Sequence, residues 1–269
     1  MRYCLLLILI LGWCSCKNNK QIVQVEKNDT SVYAKAEFSS SDDYVLPYRI
    51  YYPKNFNSEL NYPIFVFLHG ASERGNDNEA QLTHGSELIG KKMDELGGIA
   101  IFPQCPENEN WVNVTIDQTT DDVSVDHIID ADKPATPSLN AVIKLLKELK
   151  SESYIDKNRL YVSGLSMGGM GTFDLLYRMP GEIAAAAPIC GAGAPEKAFD
   201  MIRTPIRLYH GEKDYIVPSK ESKVMEREFR KYKGNVETFY YENVGHDSWN
   251  NAFSEPDFVE WFFQHSLDK

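Results

Sequence analysis

Ser166 lies in Gly164-Leu165-Ser166-Met167-Gly168, a G-x-S-x-G pattern, and its type and setting point to nucleophilic chemistry. A serine hydroxyl is a weak nucleophile at neutral pH, so it needs a base within hydrogen-bond reach and an acid to orient that base. Six histidines compete for the first role: His69, His84, His127, His210, His246 and His265. When acid and base follow the nucleophile in that order, only His246 and His265 come late enough. His265 falls on an expected terminal helix, where a solvent-facing side chain is the simpler reading. His246 sits in Asn243-Val-Gly-His-Asp-Ser-Trp249, a glycine-hinged loop after the last expected strand. For the acid, His210-Gly-Glu-Lys-Asp-Tyr-Ile-Val-Pro218 offers Glu212 and Asp214. Asp214 is preferred because it ends the turn, whereas Glu212 stands against the strand and reads as a turn residue.

A tetrahedral intermediate also needs two backbone N–H donors, each worth about 10²–10³ in rate in comparable sites. The Met167 amide, beside the nucleophile at a helix N-terminus, is one. The turn His69-Gly70-Ala71-Ser72, following an expected strand, nominates the Ala71 amide as the other.

Several elements must position these groups. Arg159 to Ser163 alternates around Leu160 and Val162, and the residues from Ser166 towards Pro180 read as a helix, so the serine occupies a strand-to-helix bend. Tyr62 to Leu68 is a continuous apolar run typical of a strand covered on both faces; similar runs occur at 98–102, 183–188, 206–209 and 236–240. Helical periodicity appears over Pro137–Lys150, Ser219–Tyr232 and Pro256–His265. Val32–Phe38 and Tyr44–Tyr52 alternate as an antiparallel pair. This succession implies an α/β protein with a mostly parallel central sheet and helices on both faces. Ligands of such a sheet gather at the carboxyl ends of the strands.

Leu68-His-Gly-Ala-Ser-Glu-Arg-Gly-Asn-Asp-Asn78, Pro103-Gln-Cys-Pro106, Gly164–Gly169, Ala187-Pro-Ile-Cys-Gly191, His210–Asp214 and Gly245-His-Asp-Ser-Trp249 together resemble a known family. They are similar to α/β-hydrolases of the predicted-peptidase and feruloyl-esterase-like group, relatives of polyhydroxybutyrate depolymerases and prolyl-oligopeptidase-like hydrolases. The resemblance runs from about Tyr44 to Trp261 and implies a single α/β-hydrolase domain. It implies Ser166, Asp214 and His246 as the catalytic triad and Ala71 and Met167 as the oxyanion donors. Glu73, Arg74 and Gln104 match recurrent residues near the site, and Gln104 is carried forward as a substrate-binding candidate. Ser72 departs from the glycine common at its position.

Residues 107–133 hold eight acidic residues and one lysine, too long a stretch for a bare connection, and read as a flap beside the site or as a solvated loop. Trp111 and Trp249 are candidates for an aromatic platform under a sugar or phenolic acid, with buried packing as the rival reading. There is no H-E-x-x-H, no cysteine pair with zinc spacing and no EF-hand pattern, so no metal or other cofactor is expected.

Residues 1–16 read as an export signal: Arg2 precedes the apolar run Leu5–Leu11, too short to cross a bilayer, and Cys16 follows a small residue as in the lipobox of bacterial lipoproteins. Trp13 departs from that pattern. Ordinary signal cleavage nearby is the alternative to lipidation at Cys16. Residues 17–31 are a polar tether and 32–269 the folded domain. The expected location is the bacterial periplasm or the outer membrane as a lipoprotein, with any membrane contact made through the lipid. Removing residues 1–15 takes away Arg2 and moves the formal charge from −11 to −12, which disfavours nucleic acid as a partner. Of five cysteines, Cys105 and Cys190 remain outside the N-terminal segment, and an oxidising compartment would permit a bridge between them.

Together with the resemblance, these features lead to the expectation of an exported serine esterase acting on small or polysaccharide-linked acetyl or feruloyl esters. A serine peptidase with the same triad and a non-catalytic binding protein are the alternatives. An acidic flap argues against a lipase.

Overall fold

The computed structural model describes residues 32–40, 44–118 and 125–268. The expected signal segment, Cys16 and the tether lie outside the described residues, as do 119–124 of the acidic segment.

In chain order the elements are β1 (Ala34–Ser39), β2 (Val45–Tyr51), β3 (Tyr62–Leu68), α1 (Ser86–Leu96), β4 (Ile99–Pro103), β5 (Val114–Gln118) and β6 (Val125–Ile129). There follow α2 (Pro137–Leu149), β7 (Ile155–Leu165), α3 (Met167–Arg178), β8 (Ala185–Ile189), α4 (Ala198–Met201), β9 (Ile206–Gly211), α5 (Lys220–Lys231), β10 (Val236–Tyr241) and α6 (Trp249–Ser254). Eight strands form one sheet in the order β1-β2-β4-β3-β7-β8-β9-β10. From β4 to β10 neighbours are parallel, while β2 is antiparallel to both β1 and β4. β1 therefore runs in the same sense as the parallel strands.

The continuous apolar runs are buried on both faces because successive side chains enter different cores. Ile64, Val66 and Leu68 of β3 pack with α2, α3 and α5 residues on one side; Phe65 and Phe67 pack with α1 and the C-terminal aromatic residues on the other. α2 begins where local chemistry dictates: Thr136 caps it, its hydroxyl accepting from the Leu139 amide, and Pro137 occupies the first turn.

The structure corrects the sequence reading at the terminal helix and decides two points it left open, the acidic segment and the pair of cysteines. The terminal helix is shifted: α6 occupies Trp249–Ser254, and Glu255, held extended before Pro256, ends it, as steric contact with a following proline favours. Residues after Pro256 make turns and a short 3₁₀ segment, Phe262–Gln264. The acidic segment is a β5–β6 hairpin at its described ends, with Asp117 opposite Asp126 and Ile116 opposite His127. Cys105 and Cys190 are both buried free thiols, so they are not bridged. α1 also lacked a start signal in the sequence, because Gly85 precedes it in the left-handed region instead of a hydroxyl or carboxylate cap.

The sheet and α3 meet at bare backbone. A Cβ on Gly168 would lie 1.9 Å from the Leu68 carbonyl oxygen. Gly168→Ala is expected to cost about 3 kcal/mol or more in urea unfolding, whereas Gly181→Ala, at φ 73° with nothing within 4 Å, should cost only about 1 kcal/mol.

Candidate active site

Ser166 stands between β7 and α3 with φ 54° and ψ −118°, a left-handed backbone that side-chain-bearing residues seldom adopt. Its amide donates to the Ile189 carbonyl at 2.9 Å, which ties the bend to β8. The half-buried hydroxyl lies 2.8 Å from His246 Nε2, and His246 Nδ1 lies 2.7 Å from Asp214 Oδ2. Three residues far apart in the chain thus meet at the carboxyl edge of the sheet. His246 comes from the loop after β10 and Asp214 from the loop after β9. These loops are joined backbone to backbone: the Lys213 amide donates to Val244 O and the Glu212 amide to Tyr241 O, both at 2.9 Å. A Cβ on Gly211 would fall 2.1 Å from Gly245 O, so glycine is what lets the loops close on each other.

The Asp214 carboxylate is inaccessible to solvent, and its oxygens are taken up by donors. Oδ1 accepts from the Ile216 and Val217 amides, both at 2.9 Å. Burial alone would raise its proton affinity, but hydrogen bonds from His210 and His246 outweigh burial and hold the carboxyl well below the usual range. The group is therefore an anion able to fix the His246 tautomer with the proton on Nδ1, leaving Nε2 to accept from Ser166. Glu212 is engaged elsewhere, with Lys223 at 2.6 Å and Ser219 at 3.1 Å.

Met167 is the first residue of α3, so its amide has no acceptor within the helix. Ala71 opens a short 3₁₀ turn, Ala71–Glu73, directly beyond β3 and is exposed. The loop carrying it is held by buried polar groups. His69, 1% exposed, accepts from the Cys105 amide at Nε2 (2.9 Å) and contacts the Gly70 carbonyl through Nδ1 (2.6 Å), so Nδ1 carries its proton. Arg74 Nε donates to Ala71 O at 2.9 Å, while Arg74 also reaches Glu109 O at 3.1 Å.

Two expected substrate contacts are corrected. Trp111 is fully buried, its indole N–H donating to His69 O at 3.1 Å and its ring filling space beside Gly171 and Leu68. Gln104 is also fully buried: its amide nitrogen donates to Asp77 at 2.7 Å and its oxygen accepts from the Asn78 amide at 2.7 Å. Both side chains brace the loop after β3 from below. Trp249 does sit at the site, half-buried, its ring edge-to-face with His246 at 5.7 Å and against His84 at 5.2 Å.

Sequence reasoning missed four contributors. Arg49, buried on β2, donates to Asn78 O and pairs with Glu79, fixing the far end of the same loop. His210 touches Asp214. His127 on β6 is buried, its amide donating to Glu221 at 3.4 Å, while Asp126 pairs with Lys220, so the hairpin docks on the first turn of α5. Burial lowers the His127 proton affinity, with Asp214 and His246 close enough to act on it in opposite senses. Cys190, at φ 41° after β8, packs its buried thiol behind Asp214, where burial pushes its proton affinity up. Ligand atoms of Cys190, Asp214 and His246 lie within 4.8 Å of one another, but an ion there would displace the Asp214–His246 hydrogen bond. Only the pairing with a carboxylate four residues later could have flagged His210 in the sequence.

Residues 57–258 match the phospholipase/carboxylesterase family of α/β-hydrolases, and the chain belongs to it. A crystal structure of a thermostable esterase is similar at 32% identity and TM-score 0.77, over 87% of this chain and 63% of that one. The bifunctional acetylxylan esterase/xylanase XynS20E of Neocallimastix patriciarum is 28% identical over 169 residues, 62% of this chain and 21% of that protein. The chain thus spans about a fifth of that curated relative. The acetyl xylan esterase from Aspergillus awamori shares the fold at 17% identity and TM-score 0.60, over 81% of this chain and 94% of the other.

His69 carries a pH dependence. Burial pushes its pKa down to about 4, below the ordinary value near 6.5, so the unfolded chain takes up the proton first. The stabilisation is complete above about pH 6.5 and is lost as pH falls through the window towards about 4, to an extent of about 3 kcal/mol. Urea unfolding across that window should show a fall in stability that is shallower in His69→Gln.

Proposed function

We propose that the protein is an exported serine hydrolase of carboxylic esters, acting on acetyl or feruloyl esters of plant polysaccharide. One observation carries the reading: Ser166 Oγ, His246 and Asp214 are joined in line by hydrogen bonds of 2.8 and 2.7 Å. His246 Nε2 takes the Ser166 proton as Oγ attacks the ester carbonyl, and Asp214 stabilises the resulting imidazolium. The Ala71 and Met167 amides donate hydrogen bonds to the carbonyl oxygen as negative charge develops on it. Collapse of the tetrahedral intermediate breaks the bond to the alcohol oxygen, which leaves with the proton from His246. Water, deprotonated by the same nitrogen, then attacks the acyl-enzyme and releases the acid and free Ser166.

The substrate class is supported by the acetylxylan esterase activity named for the Neocallimastix patriciarum relative and by the half-buried Trp249 beside the base, suited to stacking on a sugar or phenolic ring. Export is supported by the segment from Arg2 to Cys16, with Cys16 as the lipidated residue.

Acetyl and feruloyl esters and a proline-containing anilide should be compared as substrates of wild type and Ser166→Ala. Ester turnover that falls by at least about 10³-fold in Ser166→Ala is expected, with little anilide cleavage. Preferential anilide cleavage would make the protein a peptidase, and ligand binding without Ser166-dependent turnover would make it a binding protein. For the anchor, Cys16→Ser is expected to abolish incorporation of labelled palmitate in a bacterial host; retained label would place the lipid elsewhere.

A further inference from the structure

Asp214 is contacted by a second imidazole. His210, at the end of β9 and fully buried, places Nε2 2.8 Å from the Val217 carbonyl and 3.2 Å from Asp214 Oδ2. Both neighbours are pure acceptors at neutral pH, so Nε2 carries a proton; it is hydrogen-bonded to Val217 O, and Asp214 Oδ2 lies beside it. Nδ1 lies 2.7 Å from Ser222 Oγ on α5, and that hydroxyl also lies 3.3 Å from Gly191 O. A neutral ring is satisfied when Ser222 donates to Nδ1, which fixes the tautomer from the side remote from Asp214. Oδ2 then faces two imidazole nitrogens, His246 Nδ1 at 2.7 Å and His210 Nε2 at 3.2 Å, while Oδ1 accepts from two amides.

We propose that His210 is a positioning residue for the triad acid: its Nε2–H holds Asp214 with Oδ2 facing His246 and draws charge from that oxygen. The inference rests on the serine-hydrolase reading and extends it to how the basicity of His246 is set. A donor dipole aimed at Asp214 makes the potential at His246 less negative. The donor thus tempers how strongly Asp214 holds the proton that His246 takes from Ser166.

Other ionisable groups around the pair come from several elements. Cys190 approaches from the turn after β8, His127 from β6 and Asp247 from the His246 loop; Glu212 and Glu221 lie within electrostatic reach of His210. After His246 Nδ1 at 2.7 Å, the nitrogen that approaches Asp214 Oδ2 is His210 Nε2 at 3.2 Å.

The test uses the full chain and a fluorophosphonate that labels the active serine, with the labelling rate followed against pH, so the natural substrate need not be known. His210→Leu is expected to lower the rate at neutral pH about tenfold and to move the acid limb up by about half to one pH unit. His210→Gln keeps an N–H donor and should restore most of both. Ser222→Ala, which frees the ring without removing it, should move the limb the same way by less, and serves if His210→Leu does not fold. An unchanged acid limb in folded His210→Leu or Ser222→Ala, or His210→Gln behaving like His210→Leu, overturns the proposal. The downfield proton resonance of His246 Nδ1–H gives a second reading that needs no reaction. It should move in His210→Leu and return in His210→Gln, and a resonance indifferent to both variants overturns the proposal. Wild-type protein that takes no label while keeping this pattern would remove the hydrolase reading and leave the His210 contact standing.

Discussion

The site depends on a backbone-to-backbone approach between the end of β3 and the first turn of α3. Gly168 lies against the Leu68 and His69 carbonyls so closely that no side chain fits between them. That approach brings the two candidate oxyanion amides, Ala71 beyond β3 and Met167 at the head of α3, to the same end of the sheet. It also leaves Ser166 in a left-handed conformation that the surrounding strands must hold in place. The strain is local, and its support comes from β8 through the Ile189 carbonyl and from the helix that follows.

Around this contact the protein uses buried polar groups rather than apolar packing. Behind the Ala71 turn, His69, Gln104, Asn78 and Arg49 exchange hydrogen bonds with backbone across three loops and a strand. Behind Asp214, amides and imidazoles saturate a carboxylate that water does not reach. Such groups are costly to bury and costlier to leave half-satisfied, so each fixes its loop in one arrangement. The two clusters lie on opposite sides of Ser166 in sequence: one shapes the turn proposed to meet the oxyanion, the other the groups proposed to move the proton.

Residues with roles written in local chemistry were legible in the sequence. Glycines bracket Ser166, and Asp214 and His246 follow strand ends in turns whose residue types admit few other uses. The central strands were legible because both faces are buried and the apolar runs are unbroken. Trp111 and Gln104 were misread because a polar-tipped side chain near a site looks the same from sequence whether it faces substrate or braces a loop. The partners that decide the matter, His69 O for Trp111 and Asp77 and Asn78 for Gln104, are between 26 and 42 residues away in the chain. His210 was given no role for a related reason, since its hydroxyl partner on α5 becomes a neighbour only after β9 and α5 pack. The terminal helix was misplaced because the apolar spacing of Phe258, Val259 and Phe262 reads as a helix face, whereas the structure buries the same residues from turns and a 3₁₀ segment.

The direction of β1 has a consequence for orientation. β1 runs with the parallel strands, whose carboxyl ends carry Ser166, Asp214 and His246, so the polypeptide enters the sheet from the opposite rim. Val32, the first described residue, therefore stands at the rim away from the reactive groups, and the rim that carries them is left to the loops after β3, β7, β9 and β10.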